Sequence, residues 1–325
     1  MNKELSRRIT VVSFFAMTSV ICWHCYCDSG FEKYALPLFF YWAVPWFFMI
    51  SGFLLAYSLE RKSAIAVVKS KCISLLVPYL IWSLIGACVM GLTYCGGVLD
   101  VLGIVPNRIF PTGNQSLWYL RAIIIFSLAG ILVDAFFRRC SSFRPFVTAM
   151  SLCVFLTLVN KYLLQISTGS SPLYFCFGFA IYAVNGKLIL FKKRISLVVS
   201  MVSLMLFAAV KVLYFLKGYT SAVPGGTLLT NFSTCFWIVA IWFGIGVIPK
   251  RMIERVCGMK FLYVSAFVYF MHYPILRKII GVAQLKGNIA FVASCLIAPC
   301  FFVGLAMVVK VMAPRFYRIA SGGRV

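Results

Sequence analysis

The sequence predicts an all-α, polytopic membrane protein of about ten transmembrane helices with both ends of the chain in the cytoplasm, and three observations predict it. The chain is 62% hydrophobic and only 12% charged, with a mean hydropathy of +0.97, which makes lipid the solvent for most of its residues. Apolar runs of about 18 to 24 residues recur from end to end, each long enough to cross a hydrocarbon core as a helix. Most of the 31 Lys and Arg residues fall on one side of the resulting weave. A closed β-barrel would instead need strands of roughly ten residues alternating apolar and polar, and the continuous runs here do not alternate.

The first run, 9 to 27, follows Arg7 and Arg8. It is long for a signal-peptide core, and Asp28 and Ser29 follow it without an A-x-A-like cleavage site, so it reads as a retained helix. The second, 36 to 59, stops before Arg61 and Lys62, and the third, 73 to 95, follows Lys69 and Lys71. An outer loop of about 96 to 115, rich in Gly and Pro, leads to the fourth, 116 to 136, which halts before Arg138 and Arg139. The fifth, 147 to 166, comes after Arg144, and the sixth, 172 to 190, runs to Lys192 and Lys193. From Arg194 the seventh, 195 to 216, sets out, and the eighth, 227 to 248, returns to Lys250 and Arg251. The ninth, 261 to 281, leaves Lys260, and the tenth, 289 to 312, ends before Arg315 and Arg318. All these basic stretches share the side of the N-terminus, which the positive-inside rule makes cytoplasmic.

The net charge of +24 is therefore a topology signal; nucleic-acid binding would need those charges on one exposed face of a soluble domain, and no connection is long enough to form one. Residues 1–325 read as a single integral membrane domain with no fused soluble domain and no visible internal repeat. Most of the 13 cysteines lie in apolar segments and read as small buried hydrophobes. Cys22, His24, Cys25 and Cys27 point in different directions on a helix, so no metal is expected there.

Ionisable groups kept inside apolar spans are the functional candidates. His24 stands about three residues from the outer end of the first helix, with Asp28 at i+4, in reach of an imidazole nitrogen if the helix persists that far. An interfacial histidine beside an exposed aspartate is the other reading. Arg121 sits about 8 Å below the outer boundary of the fourth helix. There it has three readings: holding an anionic or developing negative charge, snorkelling, or pairing with Asp28 or Glu32. His272, mid-span in the ninth helix before Tyr273 and Pro274, is either bonded to a backbone carbonyl or part of the chemistry. Lys211, near the outer end of the seventh, reads as a snorkelling side chain.

These residues, with several short motifs, resemble the acyltransferase 3 family of bacterial integral membrane acyltransferases, which O-acylate cell-surface glycans. The likeness rests on Trp23 and His24, on Phe47-Phe48-Met49-Ile50-Ser51-Gly52-Phe53-Leu54, and on Lys69 and Lys71 before Pro78 and Tyr79. It continues with Leu117-Trp118-Tyr119-Leu120-Arg121 and Tyr269-Phe270-Met271-His272-Tyr273-Pro274, and so covers nearly the whole chain. The resemblance implies an inner-membrane enzyme that transfers an acyl group, acetyl above all, from a cytoplasmic acyl-CoA such as acetyl-CoA to a hydroxyl of an exported or lipid-linked saccharide. It holds no bound cofactor, and His24 takes the place of the family's first-helix histidine, as general base or acyl relay.

One departure stands out: many members carry an arginine eleven residues before that histidine, where this chain has Ser13, on the same helix face about 16 Å away. Arg7 or Arg8 reaching up, or Lys69 and Lys71, are the cations left to meet the donor's phosphates. Ser51 and Gly52 also read as small residues that let helices approach, and Trp118 and Tyr119 as an interfacial belt or a sugar platform. A glycan exporter and a structural partner of a glycan assembly complex are the competing functions.

Overall fold

The structure, a computed structural model, describes residues 3–28, 30–31, 35–90, 101, 114–137, 144–165, 167–185, 193–217 and 224–323. Glu32 and nearly all of the predicted outer loop lie outside the described residues. The described residues are helical throughout their regular structure, with no strand among them.

The helices are α1 (Lys3–Trp23), α2 (Ala43–Arg61), α3 (Ala64–Lys71), α4 (Val77–Met90), α5 (Trp118–Phe136), α6 (Arg144–Val159) and α7 (Ser171–Asn185). After these come α8 (Lys193–Leu216), α9 (Pro224–Val247), α10 (Lys250–Cys257), α11 (Ser265–Ala283), α12 (Gly287–Met312) and α13 (Pro314–Ala320). Wide π-helical turns extend some of them: Leu36–Phe40 leads into α2, and Cys72–Leu76 joins α3 to α4. Seven segments are long and apolar enough to cross a membrane, by length and composition. A helix covers the core of each of the ten predicted runs, including the shorter apolar pieces Val147–Tyr162 and Ser171–Tyr182 and the proline-bearing α11.

Burial separates the centre of the bundle from its rim. Of the most apolar stretch, α1 buries 61% and the segment ending in α5 buries 67%, against 17% for α8 and 22% for α12. The central helices α1, α2, α5 and α11 pack around a core of fully buried aromatics, among them Trp46, Phe48, Phe126, Phe267 and Phe270. Helices α8 and α9 form a hairpin at the side. The tightest crossing is α2 on α7: a Cβ on Gly52 would land on the Phe175 carbonyl, and one on Gly178 on the Met49 carbonyl. Gly52 therefore has the packing role its small size allows.

Charge collects at the end of the bundle where α1 begins. Arg8, buried, donates to Glu4 at 2.7 Å and to the Ile245 carbonyl at the close of α9, and Arg7 pairs with Glu254 of α10 at 2.9 Å. Amphipathic α10 lies across this basic end with Ile253 and Cys257 packed on Val11 and Leu262.

Candidate active site

At the far end, α1 stops at Trp23, and His24 is the first residue beyond it. The last turn tightens, with His24 N–H on the Ile21 carbonyl at 2.9 Å and Cys25 N–H on the Cys22 carbonyl at 3.1 Å. Beyond it the burial alternates: Cys25 and Cys27 are buried, Tyr26 and Asp28 exposed. That period of two belongs to extended chain, not to a helix. The Gly287 N–H at the start of α12 then clasps the Cys27 carbonyl at 2.8 Å, and Asp28 takes a left-handed φ of 52°. Asp28 thus does not stand one turn above His24, and the expected i+4 pair is not formed; the helix it required ends four residues too early.

Helix α11 brings the second histidine to the first. Pro274 has no N–H to give the Phe270 carbonyl, and the amide of Asn114 fills the gap at 2.9 Å. Asn114 in turn accepts the Ser116 hydroxyl at 2.8 Å, so the start of α5 is bolted to the break in α11. On the turn before the proline, fully buried His272 directs Nδ1 to the Tyr269 carbonyl at 2.7 Å. Facing a carbonyl, Nδ1 carries the proton, which leaves the lone pair on Nε2; that buried nitrogen has no hydrogen-bond partner among the described residues. The His24 and His272 rings lie 5.3 Å apart, and Tyr273 packs edge-on to His24 at 4.9 Å.

Two cavities flank this centre. The far pocket, about 220 Å³, is lined by His24 with Trp23, Tyr41, Trp118 and Tyr174, and by the hydroxyls of Thr168, Ser170 and Ser171. Flat rings beside hydroxyls suit a polyol, whose C–H faces stack while its hydroxyls bond. The second cavity, about 320 Å³, lies toward the basic end among Thr10, Ser13, Phe47, Ser51, Leu54, Tyr119, Ser265 and Tyr269. No charged side chain lines it among the described residues. Ser51 and Tyr119 share a hydrogen bond of 3.1 Å there, and Tyr269 donates to the Ser116 carbonyl at 2.5 Å.

The other predicted residues stand apart from the histidine pair. Arg121 is buried on α5 beside Tyr79 of α4 and lines neither cavity. Arg7 and Arg8 are held by Glu254, Glu4 and Ile245, so neither reaches up toward Ser13. Lys69 is exposed and Lys71 half-buried at the end of α3, just before the turn whose Leu75 does line the basic-end cavity. Lys211 does not snorkel: it is buried and donates to the Pro37 carbonyl at 3.4 Å, joining α8 to the turn before α2. Sequence reasoning missed Asn114 and the Tyr269–Ser116 bond; the signal for the first was Pro274, whose freed carbonyl must find a donor somewhere. Among the described residues, no three His, Cys, Asp or Glu side chains converge as a metal site would require.

Compared with known proteins, residues 8–309 match the family model described as an acyltransferase domain of the acyltransferase 3 type. No curated protein and no solved structure matches the chain.

Proposed function

The chain belongs to the acyltransferase 3 family and is a membrane acyltransferase, and from that premise we propose that it moves an acyl group, acetyl first among candidates, from an acyl-CoA to a hydroxyl of an exported or lipid-linked glycan. It spans a bacterial inner membrane about ten times with both termini in the cytoplasm; the run of basic loops and the helix on each apolar run support this weave. The basic end then faces the donor and the far pocket faces the acceptor.

One observation carries the reading: His24 lines a pocket of aromatic rings and hydroxyls while its ring packs on a second histidine, with a separate cavity toward the basic end. His24 acts as general base, taking the proton of the acceptor hydroxyl as its oxygen attacks the thioester carbonyl. The carbon–sulfur bond breaks, the ester forms, and the proton passes to the departing thiolate. His272, its tautomer set by the Tyr269 carbonyl, orients His24 by packing and offers Nε2 as a nearby proton acceptor. Lys69 and Lys71, at the basic end, meet the donor's phosphates.

The test is mass spectrometry of surface polysaccharide from wild-type cells, a deletion strain and a His24→Ala strain. Loss of one defined acyl mass in both altered strains is expected, with His24→Ala still in the membrane. Wild-type acylation by His24→Ala overturns the assigned base, and glycan retained inside the deletion strain with its acylation intact favours an exporter.

A further inference from the structure

One layer of aromatic rings supplies walls to both cavities. On α2, Phe47 lines the basic-end cavity and its neighbour Phe48 the far pocket; on α5, Tyr119 lines the first and Trp118 the second. Consecutive residues on a helix diverge by about 100°, so each pair straddles the boundary. Across it, Phe48 lies edge-on to Tyr119 at 4.8 Å and tilted on Trp118 at 5.9 Å, and Tyr269 closes the layer from α11 at 5.6 Å from Tyr119. The rings differ in how they are held. Tyr119 is tied to Ser51, and Tyr269 to the Ser116 carbonyl. Phe48, fully buried and sharing the far pocket with His24, is held by packing alone, and a helical Phe has two χ1 wells open to it.

Building on the proposed reaction, we infer that Phe48 is the gate between donor and acceptor: its ring closes the passage from the basic-end cavity to His24, swings aside for acyl transfer, and otherwise keeps pocket water from the thioester. The alternative to transfer is hydrolysis, in which a water oxygen attacks the thioester carbonyl, the carbon–sulfur bond breaks, and free acid and thiol leave. Phe48 thus sets the ratio of transfer to hydrolysis.

The experiment measures thiol release from acetyl-CoA by the purified full chain with no acceptor added, alongside glycan acylation in cells. Phe48→Ala should raise acceptor-free release at least tenfold over wild type while lowering glycan acylation, and adding His24→Ala should remove the excess. Phe48→Leu, which keeps a bulky plug and guards against misfolding, should stay within about threefold of wild type in release. Phe126→Ala deletes a fully buried ring 5.7 Å from Phe48 that lines neither cavity, and should leave release unchanged. Release by Phe48→Ala no higher than wild type, or matched by Phe126→Ala, overturns the gate. The underlying acyltransfer reading fails separately, through glycan acylation that stays intact in the deletion strain.

Discussion

Replacing Asn114 by Ala removes a side chain that ties the carbonyl freed at the break in α11 to the start of α5. The Phe270 carbonyl, freed by Pro274 and now facing apolar surroundings, loses its 2.9 Å donor, and the Ser116 hydroxyl loses its 2.8 Å acceptor. An orphaned buried polar group costs about 1–3 kcal/mol, and the hydroxyl can rotate to recover part of its loss, so the substitution should destabilise the protein by roughly 2–4 kcal/mol. A rescue follows from the same geometry. In Asn114→Ala/Pro274→Ala the new N–H at position 274 can serve the Phe270 carbonyl, so the second substitution should return about 1–2 kcal/mol that it does not give in the wild-type background. Thermal unfolding in detergent of the four proteins forms the cycle. Strict additivity, or an Asn114→Ala protein as stable as wild type, refutes the account of how α11 is held, and with it the placing of His272.

Gly52→Ala drives a methyl group into the Phe175 carbonyl and should destabilise by about 1–3 kcal/mol or more, whereas Gly281→Ala, with nothing within 4 Å, should be neutral or slightly stabilising; paired melts decide. Arg8→Ala strips a buried guanidinium from Glu4 and the Ile245 carbonyl and should cost about 2–3 kcal/mol. Arg7→Ala loses an ion pair whose partners are 32% and 43% exposed and should cost at most about 1 kcal/mol. Equal losses in the two arginine variants would refute the burial argument.

Much of the fold was legible because apolar length is a local property: every predicted span has its helix. Ends were less so. Hydropathy runs unbroken through Cys25 and Cys27, which made the first helix four residues too long, although their alternation with Tyr26 and Asp28 already carried the period of an extended chain. The place of His24 near the end of the first helix was legible, and so was the carbonyl bond of His272. Their meeting was not, because it depends on α1 and α11 packing side by side. Lys211 illustrates the same limit: its position at a helix end suggested snorkelling, but the carbonyl that holds it belongs to Pro37, 174 residues away. Arg121 likewise answers to Tyr79 on another helix.

Position 13 shows how a departure from a family pattern can be compensated nearby. Ser13 lines the basic-end cavity and accepts the indole N–H of fully buried Trp46 at 3.4 Å. An arginine side chain only donates, so it could not serve that N–H, and the indole would be left unsatisfied in the core. Serine and tryptophan therefore form a matched pair, and Ser13→Arg should not restore a family-like site without a change at Trp46. With Arg7 and Arg8 also committed elsewhere, Lys69 and Lys71 stand at the end of α3, just before the turn whose Leu75 lines the cavity. On the proposed reaction, donor phosphates are then met outside the cavity by Lys69 and Lys71, while the uncharged interior admits the neutral arm that bears the acyl group.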